Sequence, residues 1–388
     1  MGLILSCIEP FETSEDFFED VLIINARITN ENKNQEITLN RSFRLGSEIS
    51  LVESNATVII IGSNGNTFTF LEKNLGKYLS TVPFAALEGV SYTLQITTES
   101  GQKYASQTME LPVANTIIEN IIAKKTVDTD GNEGIGIFLN TNDVTNNSKL
   151  YRYEFEETFK IIAPFWSPFD AVFRIEGANT IDVDIILREQ EEQTCYGTSK
   201  SKDIILNSTL GFNDDKIEDF NVLFLTKNDY KLLHRYSILV KQYVQTPLAF
   251  SYYETLKGLS KSEGNAFSED QPGFIQSNVF SVDNPNENVA GLFEVTAVDE
   301  KRIFFNFQEF FPGEELPPYI SDCSFFAPSG EGAIGQRPLV QAIKSNEFRF
   351  YELNTGKIPG GGPYILTSNR CGDCTTLGSN IIPEFWID

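Results

Sequence analysis

Residues 56–73 read ATVIIIGSNGNTFTFLEK. A β-branched run from Thr57 to Ile61 leads to Asn64-Gly65, and Thr67, Phe68, Thr69 and Phe70 follow. Branched and aromatic side chains pack well on a pleated surface, and Asn-Gly accepts the positive φ of a tight turn. The stretch is therefore an antiparallel hairpin. Neighbouring stretches repeat the signal: VLIINARIT (21–29) and EITLNRSFRL (36–45) lie before it, and SYTLQITTESGQKYASQTMEL (91–111) lies after it. In the last of these, Tyr92, Leu94 and Ile96 share one face, and Ser100-Gly101 marks a turn. Several short strands within about a hundred residues suggest an immunoglobulin-like β-sandwich, although the Cys-Trp-Cys signature is missing. Pro112, in ELPVANT, punctuates its end.

Beyond it the strands lengthen and become richer in aromatics: IIENIIAKKTV, GIGIFLNTN, KLYRYEFEETFKII, TIDVDIILREQ and NVLFLTKNDYKLLHRYSILVKQYVQ. One segment departs from this pattern. PLAFSYYETLKGLSKSEG carries Leu248, Tyr252, Leu256 and Leu259 at helical spacing, opens on Pro247 and closes on Gly264. It predicts a helix near 247–263, packed on a sheet. The tail, from GEELPPYISDCSFFAPSGEG to the closing PEFWID, is dense in Pro and Gly and too aromatic for a linker, so it reads as ordered loop held by disulfides. The expected fold is mainly β: a tether over 1–20, the N-terminal immunoglobulin-like sandwich over 21–113, and a larger β-rich domain with one packed helix over 114–388.

Composition narrows the function. The chain has 388 residues, 41% hydrophobic and 22% charged, which is globular material with length for two or three domains at ~150 residues each. Its net charge of −24 repels phosphate backbones, so no nucleic-acid partner is expected. A lone histidine, His234, removes most zinc and histidine-based catalytic schemes, and its alternating context suggests a side chain on one face of a strand.

Five cysteines are present: Cys7, Cys195, Cys323, Cys371 and Cys374. Setting Cys7 aside leaves an even four, suited to two bridges in an oxidising compartment with three pairings open. CGDC, the sole CxxC, has no second close pair for a zinc ribbon and no strand-to-helix context for a redox site. No cofactor and no metal is expected. Two lipidation signals compete in MGLILSC: myristoylation at Gly2, or a shortened bacterial lipobox that makes Cys7 the lipidated residue. The other cysteines, the acidic residues after Cys7 and the β-rich body favour export and a membrane anchor at Cys7. No apolar stretch of about 18 residues is present to span a membrane as a helix.

Catalytic motifs are scarce. DTDGNEG (128–134) alternates carboxylates and amides, but the twelfth position of an EF-hand loop falls on Leu139, so it reads as a polar hairpin turn. Glu156-Glu157 and Glu191-Glu192 are adjacent acids, which a strand would point to opposite faces. No nucleophile elbow or phosphate loop occurs, and Gly360–Gly362 has no helix to open. Aromatic density is the better clue. Trp166 in PFWSPF, with Phe310, Phe311 and Tyr319 in FFNFQEFFPGEELPPY, are candidate partner contacts, the competing reading being core.

Taken in order and spacing, SCIEPFE, LIINARITNENKNQEITLNRS, the YTLQITTESGQKY hairpin, RYSILVKQY, the segment from Tyr252 to Phe305 and CGDCTTLGSNIIPEFW resemble the Bacteroidetes lipoprotein family catalogued as domain of unknown function 4249. The resemblance implies an outer-membrane lipoprotein, lipidated at Cys7 and displayed at the cell surface, with an immunoglobulin-like sandwich and a larger β domain. It further implies a partner, a TonB-dependent SusC-type β-barrel receptor, beside which the protein acts in a SusD-like role. It supplies no catalytic residues. The leading expectation is a non-enzymatic accessory that caps the barrel or captures a small ligand for it. A structural subunit of an outer-membrane assembly or secretion complex is the first alternative, and a surface glycan or peptide hydrolase is the second.

Overall fold

The computed structural model describes residues 20–42, 51–114, 116–176, 180–261, 275, 277–332 and 337–388. Cys7 lies outside them. The first strands are β1 (Leu22–Thr29), β2 (Glu36–Arg41), β3 (Thr57–Gly62), β4 (Thr67–Asn74), β5 (Lys77–Ser80), β6 (Ser91–Thr97), β7 (Lys103–Ser106) and β8 (Met109–Glu110). The quoted hairpin is β3–β4, with Val58 opposite Phe70 and Ile61 opposite Thr67. Its turn places Gly65 at φ 85°, and the Asn64 side chain accepts the Asn66 amide at 3.1 Å.

Next come β9 (Ile117–Val127), β10 (Glu133–Asp143), β11 (Leu150–Ile162), β12 (Phe169–Glu176), β13 (Thr180–Leu187), β14 (Thr194–Lys200), β15 (Ile205–Ser208) and β16 (Asp215–Thr226). After β17 (Tyr236–Val244) and the helix α1 (Pro247–Lys261) follow β18 (Val279–Ser281) and β19 (Val289–Phe305). The tail holds β20 (Phe325–Phe326), α2 (Pro338–Lys344), β21 (Phe348–Leu353), β22 (Tyr364–Ser368) and α3 (Asn369–Gly372). The chain is mainly β, with α1 its longest described helix.

Two compact units form. The first takes in the described residues up to Ala114, Asn147–Tyr151 and Tyr243–Val298; the second takes in those of Asn115–Asn146, Arg152–Gln242 and Asp299–Asp388. The helix therefore belongs to the first unit, which corrects its expected place in the C-terminal domain. Thr246 caps it, its hydroxyl accepting the Ala249 amide at 3.2 Å, and Pro247 occupies the first turn, where no amide is needed. Of the expected apolar stripe, Tyr252, Leu256 and Leu259 are half-buried and Leu248 is 39% exposed, while Ala249 is buried.

In the first unit the hydrogen-bonded order is β19-β1-β2-β5-β4-β3-β6-β7-β18. One pairing is parallel: β1 runs beside β19, from Leu22 opposite Val289 to Thr29 opposite Thr296. Gly291 sits inside this pair at φ 97°, where an added Cβ would stand 1.8 Å from the Ile24 carbonyl oxygen. Only glycine fits there. Buried Asn278 fastens the strand, accepting the Phe293 amide at 2.9 Å and donating to the Phe293 carbonyl at 2.8 Å. The core alternates as a half-buried sheet should, with Leu22, Ile24, Ala26 and Ile28 inward from β1.

In the second unit β16, β10 and β9 form an antiparallel sheet, and β12 and β13 form a hairpin. The β12–β13 hairpin, the sheet β20-β22-β21 and α2 share a small core of Ala171, Val183, Leu339, Val340, Ala342, Phe350 and Leu366. The tail is thus folded rather than looped as expected. The stretch read as one strand around His234 also breaks. Asp229 accepts the Lys231 amide at 3.0 Å and starts a 3-10 turn over Tyr230–Leu232, so His234 falls in the bend before β17. Burial, then the nearby Lys160 charge, holds its pKa below the usual imidazole value. Among the described residues no helix is long and apolar enough to cross a membrane.

Candidate functional site

Two disulfides organise one face of the second unit. Cys195 in β14 bonds Cys374, and Cys323 bonds Cys371, with Cα separations of 5.6 and 5.9 Å. The two cysteines of CGDC therefore serve separate bridges and do not pair with each other. Between them, buried Asp373 accepts the Thr375 amide at 2.9 Å and Arg349 Nε at 3.1 Å. Backbone bonds tie the segment further: Cys374 N donates to Glu192 O at 2.9 Å, and Phe165 N donates to Cys371 O at 3.0 Å.

The expected partner contacts divide. Phe311 is fully buried, its ring stacked on Phe307 at 4.8 Å with Lys125 Nζ 4.5 Å from its centroid. It is core, which corrects its reading as a surface contact. A 3-10 turn over Phe307–Glu309 folds the run back on itself, and Phe310 packs edge-on against Phe305 at 5.3 Å. Phe310, Tyr319 and Trp166 stay half-buried. The Tyr319 hydroxyl donates to the Arg370 carbonyl at 2.7 Å, and burial raises its pKa to about 12.

A different group of rings is the more open one. Phe165, beside Trp166, meets Phe325 at 4.6 Å and Tyr351 at 5.5 Å, and Phe325 meets Tyr351 at 5.2 Å. Phe325 is 40% exposed. Its neighbour Phe326 turns inward to meet Phe348 at 4.4 Å, as alternation on a strand requires. Sequence reasoning passed over Phe165, Phe325 and Tyr351. The signal for Phe165 was present in PFWSPF, but Phe325 and Tyr351 join it only through the folded tail.

The paired acids are engaged in ion pairs or hydrogen bonds. Glu157 is buried, accepts Lys231 Nζ at 2.8 Å and accepts the Tyr236 hydroxyl at 2.7 Å. Glu156 points the other way, 3.8 Å from Lys200 and 3.9 Å from Arg302. Glu191 accepts the amides of Gln193 and Thr194, each at 2.8 Å, while Glu192 pairs with Arg188. The DTDGNEG turn closes β9–β10. The Asp128 carboxylate accepts the Asn132 side chain at 2.9 Å and its amide at 2.8 Å, and these bonds hold its pKa below the usual carboxylate range. Among the described residues no cluster of three or more His, Cys, Asp and Glu is placed to hold a metal.

Two concavities lined by described residues of the first unit stand out. One, of about 700 Å³, sets Arg41 among Asp20, Glu53, Glu99 and Glu287. Arg41 Nε donates to Glu53 at 2.6 Å. The other, of about 210 Å³, lies over β1 and β2 and includes Arg27, Lys33 and Tyr243 in its wall.

Residues 8–302 match the family model described as Domain of unknown function (DUF4249), which is most of the chain. The chain belongs to that family. No curated protein matches it.

Proposed function

We propose that this member of the family is a non-enzymatic outer-membrane lipoprotein of Bacteroidetes, anchored through Cys7. It docks on a TonB-dependent SusC-type β-barrel receptor, which it caps or supplies with captured ligand. The observation that carries the reading is the ring group of Phe165, Phe325 and Tyr351. Rigid, partly exposed aromatics are the usual anchors of protein interfaces, because they bury large area with little side-chain entropy to lose. The backbone bond from Phe165 to Cys371 ties this group to a disulfide, so its geometry is set before a partner arrives. Two bridges suit an oxidising compartment outside the cytosol.

The test is a pull-down of tagged native protein from solubilised outer membranes, read by mass spectrometry. One TonB-dependent receptor at near-equal amount is the expected result, and Phe325→Glu should reduce its recovery at least about tenfold. Recovery of barrel-assembly components in its place would overturn the reading in favour of a structural subunit.

A further inference from the structure

The smaller concavity of the first unit is a built polar site. Its floor is the outer face of β1 and β2, where Asn25 stands opposite Thr38 in the antiparallel register. Neither side chain makes a hydrogen bond within the protein among the described residues. The wall is fixed more firmly. Buried Gln35 ties the loop between the strands, accepting the Thr29 amide at 3.2 Å and donating to the carbonyls of Glu31 at 3.0 Å and Phe84 at 2.9 Å. Arg27 Cζ lies over the Tyr243 ring, 4.5 Å from its centroid, and its Nε donates to Glu294 at 2.6 Å. The Tyr253 hydroxyl holds the same Glu294 oxygen at 2.9 Å.

Charge decides what such a site accepts. Both cations of the wall have internal counter-ions, Arg27 in Glu294 and Lys33 in Glu31, and Glu36 adds a further carboxylate. An anion therefore finds no net positive field, and the single aromatic face is already covered by a guanidinium, so an apolar ligand finds no floor. What remains is a mixture of donors and acceptors: the amide of Asn25, the hydroxyl of Thr38 and the side-chain oxygen of Asn34, whose Nδ2 donates to the Ser80 carbonyl. A polyhydroxylated neutral ligand matches that mixture. Size sets the limit, since a cavity of about 210 Å³ is smaller than the range of about 300–1,000 Å³ usual for a fully enclosed small molecule.

We propose that the concavity over β1 and β2 binds one ring of a neutral saccharide, the rest of the chain lying outside in solvent. The proposal rests on the ligand-capture form of the function given above and deepens it. The isolated protein is the material for the test, so a receptor recovered from membranes is judged separately. An array of neutral and acidic oligosaccharides would be probed first, and the best binder titrated by calorimetry. Neutral members should bind with a dissociation constant of about 1 mM or tighter. Asn25→Leu and Thr38→Leu, at positions without internal side-chain bonds, should weaken binding at least tenfold and leave the melting temperature near that of the parent. Arg27→Met should weaken it also, though that change disturbs Glu294 and is the less clean variant. Binding of acidic members alone, binding of none, or full binding by both leucine variants would each overturn the assignment. A receptor recovered in the pull-down alongside any of those results leaves the docking reading intact.

Discussion

Each unit buries one carboxylate beside a cation and a tyrosine, and the two clusters differ in what surrounds them. Glu294 in the first unit and Glu157 in the second are each 2% exposed. Glu294 holds Arg27 and Tyr253; Glu157 holds Lys231 and Tyr236. Lys231 rides on a short 3-10 turn, with Tyr230 and Phe159 meeting edge to face at 5.6 Å nearby. Arg27 lines a cavity. A lysine ammonium is a compact point charge that a closed core can surround, whereas a planar guanidinium can stack on a ring, hold a carboxylate by one edge and still form part of a wall. The same counter-ion chemistry thus serves packing in one place and the shaping of an open polar surface in the other.

The largest expected effect comes from breaking the Glu157 cluster. Lys231→Met leaves Glu157 buried beside a single tyrosine hydroxyl, and removing one partner of a buried pair costs about 3–5 kcal/mol. Urea unfolding followed by circular dichroism measures it, and a loss below about 1 kcal/mol would show that water reaches Glu157. Arg27→Met should cost less, about 1–3 kcal/mol, because Arg27 lines an open concavity and water can enter the space it vacates, even though its side chain is about as exposed as that of Lys231, 21% against 19%. Equal losses at the two sites would remove the distinction between core and cavity wall.

How far the sequence reached follows the range of the interactions. Asn64-Gly65 announced the β3–β4 turn because its chemistry is local, and Pro247 marked the start of α1 for the same reason. The even set of four cysteines pointed to two bridges, yet no local pattern could reveal that Cys374 joins Cys195 across 179 residues. The parallel pairing of β1 with β19 was equally hidden, although Gly291 is its residue-level requirement. Phe311 was misplaced because a run of aromatics looks alike on a surface and in a core until the turn at Phe307 buries it. The candidate sites were less legible still. Arg27, Glu294, Tyr243 and Tyr253 come from separate strands and a helix, and each taken alone reads as an ordinary surface residue.

The two tyrosines give the next contrast. Tyr236 is fully buried, so Tyr236→Phe removes one of the two donors to Glu157 Oε1, Lys231 Nζ at 3.0 Å being the other, and should cost about 1–3 kcal/mol. Tyr253 is only half-buried, and Tyr253→Phe should cost about 1 kcal/mol or less in the same urea assay.

The smallest effect appears as alkaline sensitivity. Burial, reinforced by the charge of Glu157, raises the pKa of Tyr236 well above its ordinary value. In the unfolded chain the same phenol ionises near pH 10. Above that pH the unfolded state loses a proton that the folded state keeps, so the unfolded state binds fewer protons and stability falls as pH rises. Below it both states are protonated and the residue contributes no pH dependence. The melting temperature should therefore drop between about pH 9 and about pH 11, and Tyr236→Phe should flatten part of that drop. The comparison is sharpest with Tyr253→Phe run alongside: if that variant flattens the alkaline limb as much as Tyr236→Phe does, then Tyr253 is as closed off from water as Tyr236, and the first cluster is no more open than the second.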